Sequence, residues 1–184
     1  SLKGIQQERT ISDTFDQTMS GETLVNMNEL DMIVGSGGVL SHAPRREQAY
    51  RMLVDAFLPE GITEIAVDSI FMMPQLGVLS EVHEKAAVEV FNKDCLVRLG
   101  TCIAPVGSNN NSNEVLEYSF EFNNKKVEGI LKFGEIVLVD VNYISVKTKL
   151  IMKENYTING LSEFQDDIYG GEVGIMLDGR GRPF

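Results

Sequence analysis

The run Gly107-Ser108-Asn109-Asn110-Asn111-Ser112-Asn113 is wholly polar, and it separates two stretches of different pattern. Such side chains bury no apolar surface and favour turn conformations, so the run marks a linker or a long exposed loop. Before it, helical and strand-like patterns alternate. Residues 30–34 read as a short strand, and Ala49, Met52, Leu53, Ala56 and Phe57 give one apolar face to a helix that opens near Pro44 and stops at Pro59-Glu60-Gly61. Residues 62–71 read as a strand. Residues 75–92 carry Leu79, Val82, Ala86, Ala87, Val90 and Phe91 at helical spacing, and residues 95–104 return to strand. Ile5, Ile11, Phe15 and Met19 predict a further amphipathic helix at the start, ended by Gly21.

Strand, helix, strand, helix, strand predicts a layered α/β sheet. After the polar run only strands are expected, over residues 115–122, 127–132, 135–141, 144–152 and 172–177, with turns at Asn123-Asn124 and Phe133-Gly134. The predicted organisation is therefore an α/β unit over residues 1–106 and a small β-rich unit, a sandwich or partial barrel, over 114–184.

Composition narrows the function. With 43% hydrophobic residues in 184 the chain can bury a core, and 27 acidic against 16 basic residues give a net charge of −11. That excess repels phosphate backbones and anionic lipid, which excludes nucleic-acid or membrane binding through a general basic surface. No apolar run reaches membrane-spanning length and no signal pattern opens the chain, so a cytoplasmic protein is expected. Cys95 and Cys102 lack a CxxC partner and read as two reduced, buried thiols. Two histidines and two cysteines at unrelated spacings make no metal-ligand set.

The segment that best suits chemistry is Gly35-Ser36-Gly37-Gly38, a strand that opens through glycines into a helix. Backbone without Cβ lets a nucleotide phosphate or ribose approach closely. It is not a P-loop, since no Lys-Ser/Thr closes it, and Leu40 stands where a dinucleotide fingerprint needs its last glycine. Ser36 and Ser41 either donate to phosphate or cap the helix. Asp68, among apolar residues at a strand end, is either a ligand group or a carboxylate satisfied by backbone N–H groups. His42 follows the turn and suits helix-start packing better than catalysis, and His83 suits solvent. Arg180 and Arg182, between glycines, read as a small basic tip able to grip a carboxylate or phosphate, or as a solvated tail.

Three runs carry a resemblance: Ile33-Val34-Gly35-Ser36-Gly37-Gly38-Val39-Leu40-Ser41, Ala66-Val67-Asp68-Ser69-Ile70-Phe71-Met72-Met73-Pro74-Gln75-Leu76-Gly77-Val78-Leu79-Ser80, and Gly170-Gly171-Glu172-Val173-Gly174-Ile175-Met176-Leu177-Asp178-Gly179-Arg180-Gly181-Arg182-Pro183. From about Ile33 to the end the chain resembles the glutamate mutase accessory protein family, MutL or GlmL, which is unrelated to mismatch-repair MutL. The resemblance implies part of an actin-like (ribonuclease H-like), Hsp70-like ATPase lobe in an accessory chaperone that protects or reactivates adenosylcobalamin-dependent aminomutases. By the same resemblance, ATP or ADP with Mg binds in the full-length protein, the partners are the aminomutase subunits, and adenosylcobalamin is met only through them.

Residues 33–38 resemble the late turn that contacts adenosine, which places Gly35, Ser36, Gly37, Gly38, Ser41 and Asp68 at the nucleotide. No early phosphate loop precedes them, so the chain is expected to be a C-terminal part of a longer protein and not to hydrolyse ATP alone. The alternative is a non-catalytic interaction module docking on a mutase subunit without nucleotide. An enzyme built on Asp68 and His42 is the weakest reading, because no catalytic constellation supports it.

Overall fold

The computed structural model describes residues 26–108 and 113–182. The opening helix expected from Ile5 to Met19 lies outside them. The fold is mixed α/β with several sheets and few helices. After a short turn at Met27–Glu29 come β1 (Met32–Gly35), α1 (Gly38–Ser41), α2 (Arg46–Phe57), β2 (Gly61–Asp68), α3 (Met73–Val90), a wide helical turn (Phe91–Cys95) and β3 (Leu96–Ala104). Then follow β4 (Val106–Gly107), β5 (Glu114–Phe122), β6 (Lys125–Lys132), β7 (Ile136–Val139), β8 (Val146–Met152), β9 (Tyr156–Thr157), β10 (Glu163–Ile168) and β11 (Ile175–Asp178).

A five-stranded sheet in the order β1-β2-β3-β11-β7 forms the centre, and its pairings mix parallel (β1/β2, β3/β11) with antiparallel (β2/β3, β7/β11). One face lies under α2, where Ala49, Tyr50, Leu53 and Val54 are buried with Ile65, Val67 and Met176. The other face meets the four-stranded antiparallel sheet β10-β8-β5-β6, and Ile103, Ile175 and Leu177 join Leu116, Phe120 and Leu150 there. Three layers result, helix on sheet on sheet. Residues on opposite sides of the polar run share the central sheet, because β7 and β11 belong to it. β11 is flanked on both edges and covered on both faces, so all four of its residues are buried. In β8 the alternation Val146, Thr148, Leu150, Met152 inward and Lys147, Lys149 outward is that of a sheet with one wet face.

Several elements differ from expectation. Pro44 lies before the first turn of α2, whose N-cap is Arg45, and the Arg45 N–H donates to Gln48 Oε1 at 3.2 Å. The buried stripe of α2 is rotated: Tyr50 and Val54 face the sheet, while Met52 and Phe57 lie at the surface. The helix ends because Leu58 takes a left-handed conformation (φ 47°), one residue before the expected stop.

The larger correction concerns α3. It is not a helix laid across the sheet between two strands. β2 and β3 are antiparallel neighbours, and α3 is an excursion at their end, closed at its base by Ser69, whose N–H and hydroxyl both donate to the Cys95 carbonyl at 2.8 Å. His83 is non-helical (φ −146°, ψ 66°), and Leu76 before it shares one small cluster with Ala87 and Cys95 after it. The two limbs therefore fold back on each other as a hairpin. Only Leu76 and Ala87 of its 18 residues are buried, whereas Leu79, Val82 and Val90, expected on a packed face, are exposed.

Candidate functional site

β1 and β2 run parallel with Gly35 beside Val67, so the turn that follows β1 and the residue that ends β2 emerge side by side. Crevices at the carboxyl ends of neighbouring parallel strands are where such sheets present ligand groups. Here the fold brings Ser36, Ser41 and Asp68 together.

Asp68 is fully buried beneath the turn. Its Oδ2 accepts from the Ser36 hydroxyl at 3.2 Å and from the Met73 N–H at 2.9 Å, and its backbone carbonyl accepts from the Ser41 hydroxyl at 2.6 Å. Burial pushes the Asp68 carboxyl up, but the N–H groups of Met73, Met72 and Ile70 and the Ser36 hydroxyl outweigh it and hold the carboxyl below its ordinary value. Asp68 is thus an ionised, acceptor-only group that ties β1, α1 and α3 to the end of β2. Its Oδ2 takes one backbone N–H and the Ser36 hydroxyl, while its buried Oδ1 has no hydrogen-bond partner among the described residues.

That charge fixes how Ser36 behaves. An ionised carboxylate cannot donate, so the Ser36 proton points inward and the exposed oxygen presents lone pairs outward. Such an oxygen accepts from ribose hydroxyls or an amine and offers nothing to a phosphate. Ser41, by contrast, is buried and spent on stitching α1 to β2.

The glycines have separate tasks. A Cβ on Gly35 would stand 2.7 Å from Leu40 Cδ1 and 2.8 Å from Leu53 Cδ2, so this glycine lets the helices close on β1. Gly37 has φ 123°, which an L side chain rarely adopts, while a Cβ on Gly37 or Gly38 would meet no atom within 4 Å. The outer side of the turn is therefore open backbone next to an acceptor oxygen. His42 is exposed, and its backbone N–H closes α1 on the Gly38 carbonyl at 3.0 Å.

The expected basic tip is an ion cluster instead. Arg182 is buried and donates to Asp178 Oδ2 at 2.6 Å and to the Gly181 carbonyl at 2.8 Å. Arg180 grips the same carboxylate through Nε and Nη2 and reaches Asp55 of α2 through Nη1 at 2.7 Å. Burial raises Asp178, yet the Arg180 and Arg182 guanidiniums hold it below its ordinary value. Asp178 lies two and four residues before its arginine partners, whereas Asp55, 125 residues from Arg180, was invisible as a partner in sequence. The thiols of Cys95 and Cys102 are buried and unpaired, and burial raises both.

Elsewhere, an open groove of about 830 Å³ runs over the outer face of the four-stranded sheet, floored by Glu117, Glu121, Lys126, Lys147 and Lys149. Lys126 is engaged by Glu128 at 2.7 Å, and the groove has the interleaved charges of a solvated sheet face. Among the described residues no three His, Cys, Asp or Glu side chains are grouped to hold a metal ion, and no helix is long and apolar enough to cross a membrane.

A family model described as MutL protein matches residues 4–95 of the 184. The matched segment contains the glycine turn, Asp68 and α3, whereas the run Gly170 to Pro183 lies beyond it. No curated protein and no solved structure matches the chain.

Proposed function

Because this chain belongs to the MutL protein family, we propose that it is part of an ATP-binding accessory chaperone that reactivates an adenosylcobalamin-dependent aminomutase of the glutamate mutase type, within an actin-like lobe. The observation that carries the nucleotide part is the open turn Ser36-Gly37-Gly38 with its outward acceptor oxygen, held over ionised Asp68. This combination suits the adenosine end of a nucleotide, which brings hydrogen-bond donors. The Asp68 charge repels phosphate, so the phosphates and Mg²⁺ fall to other parts of a full-length protein. Bound ATP would supply the free energy of phosphoryl transfer, and this chain's residues would hold and orient adenosine. Adenosylcobalamin stays with the partner mutase.

Calorimetric titration of the full-length protein with ATP and ADP tests the reading. Binding is expected, weakened about three- to tenfold in Ser36→Ala, which removes one acceptor, and more severely in Gly37→Val. Absence of heat with either nucleotide in the intact protein sinks it. The alternative, an interaction module without nucleotide, is favoured by one feature, the bare aliphatic surface of α3.

A further inference from the structure

The α3 hairpin buries its small core of Leu76, Ala87 and Cys95 and leaves aliphatic side chains of both limbs in water: Val78 is 69% exposed, Val82 83% and Val88 51%. At its base Phe71 adopts φ 59° with its ring half exposed. A left-handed non-glycine residue costs about 1–2 kcal/mol, and a ring half in solvent returns less of it than a buried one. Strain kept at an exposed aromatic belongs to recognition more than to folding. Between the aliphatic residues stand Glu81 and Glu84, neither with an ion-pair partner among the described residues, while Lys85 is engaged by Glu89 at 3.9 Å.

We propose that the α3 hairpin is the docking arm of this chain and that its occupant is an amphipathic helix of a partner protein, with an aliphatic stripe bordered by lysine or arginine. Two short helical limbs offer ridges and grooves that a third helix fills, and basic borders complement Glu81 and Glu84 on a molecule of net charge −11. The same charges disfavour residues 1–25 as the occupant, which carry four carboxylates against two basic groups.

The proposal is independent of nucleotide binding, and its test uses none, so its failure leaves the ATP reading untouched. Fluorescence anisotropy measures binding of a labelled leucine–lysine amphipathic helical peptide, and of its leucine–glutamate counterpart, to the 184-residue chain. The lysine peptide is expected to bind. Val82→Asp and the pair Glu81→Lys with Glu84→Lys each weaken it about tenfold or more, and the pair transfers preference to the glutamate peptide. Ile144→Asp, at an 81% exposed site outside α3, leaves binding unchanged. All these side chains are exposed, and circular dichroism confirms that the variants fold. Equal loss in Val82→Asp and Ile144→Asp, or no binding of the lysine peptide, overturns the proposal. So does a sedimenting dimer that Val82→Asp splits, or about tenfold tighter binding once residues 1–25 are removed, since either outcome gives the face another occupant.

Discussion

Asp68 accepts from Ser36, 32 residues earlier, and from the Met73 N–H, five residues later, so one carboxylate holds the glycine turn against the root of the hairpin. Asp68→Asn keeps the shape and loses the charge that these donors were arranged around. It should cost roughly 1.5–3 kcal/mol in denaturant unfolding at pH 7, the range for hydrogen bonds to a charged group. Because the folded Asp68 pKa lies below its unfolded value of about 3.9, the stabilisation is fully present above that pH and is lost as pH falls through the folded value. The gap between the parent and Asp68→Asn should therefore stay constant from neutral pH to mild acid and close only in strong acid. A gap that closes already between pH about 7 and 5 would rule out this assignment. That Asp68 sits among apolar residues at a strand end was legible in the chain. A backbone N–H donor such as that of Met73, five residues on, was legible too; Ser36 was not, since it reaches Asp68 only when β1 pairs with β2.

Among the elements, α2 separates apolar from polar residues around its axis more sharply than α3 does, and their fates differ. α2 lays Ala49, Tyr50, Leu53 and Val54 on the central sheet, whereas the buried residues of α3 pack, among the described residues, within the hairpin and its flanking turns. Amides of α2 should exchange with solvent near the global unfolding limit, and those of residues 77–90 should exchange much faster. Hydrogen exchange followed by mass spectrometry checks this, and equal protection of the two helices would mean that α3 is covered in solution. Periodicity shows where apolar side chains fall around a helix axis. It does not show whether a surface waits for them, nor that α3 breaks at His83, in a segment that also carries Gly77, Ser80 and four valines.

For the whole molecule, β11 is the keystone. Ile175, Met176 and Leu177 are buried between β3 and β7 and contribute to both apolar layers. Each such side chain is worth about 1.5–3 kcal/mol, and the ion cluster of Asp178, Arg180 and Asp55 adds a tie to α2. A chain ending before residue 170 loses all of this, which is comparable to the roughly 5–15 kcal/mol that holds a domain folded. It should show no cooperative thermal transition by circular dichroism, and neither should residues 1–106 alone. A sharp transition in the shorter chain would show that the α/β part stands without β11.

The sequence by itself determined what short-range chemistry controls. It set the alternation of β5 and β8, the Asn123-Asn124 turn with both residues left-handed (φ 46° and 58°), the glycine turn after β1 and the unpaired thiols. Only the tertiary structure decided that β7 and β11 enter the first sheet, that α3 leaves it, and that Arg180 reaches Asp55 of α2. The reason is range: periodicity and turn propensity act over a few neighbouring residues, whereas strand partners, helix cover and the tie of Arg180 to Asp55 are chosen among segments distant in the chain, chiefly by which arrangement removes most apolar surface from water.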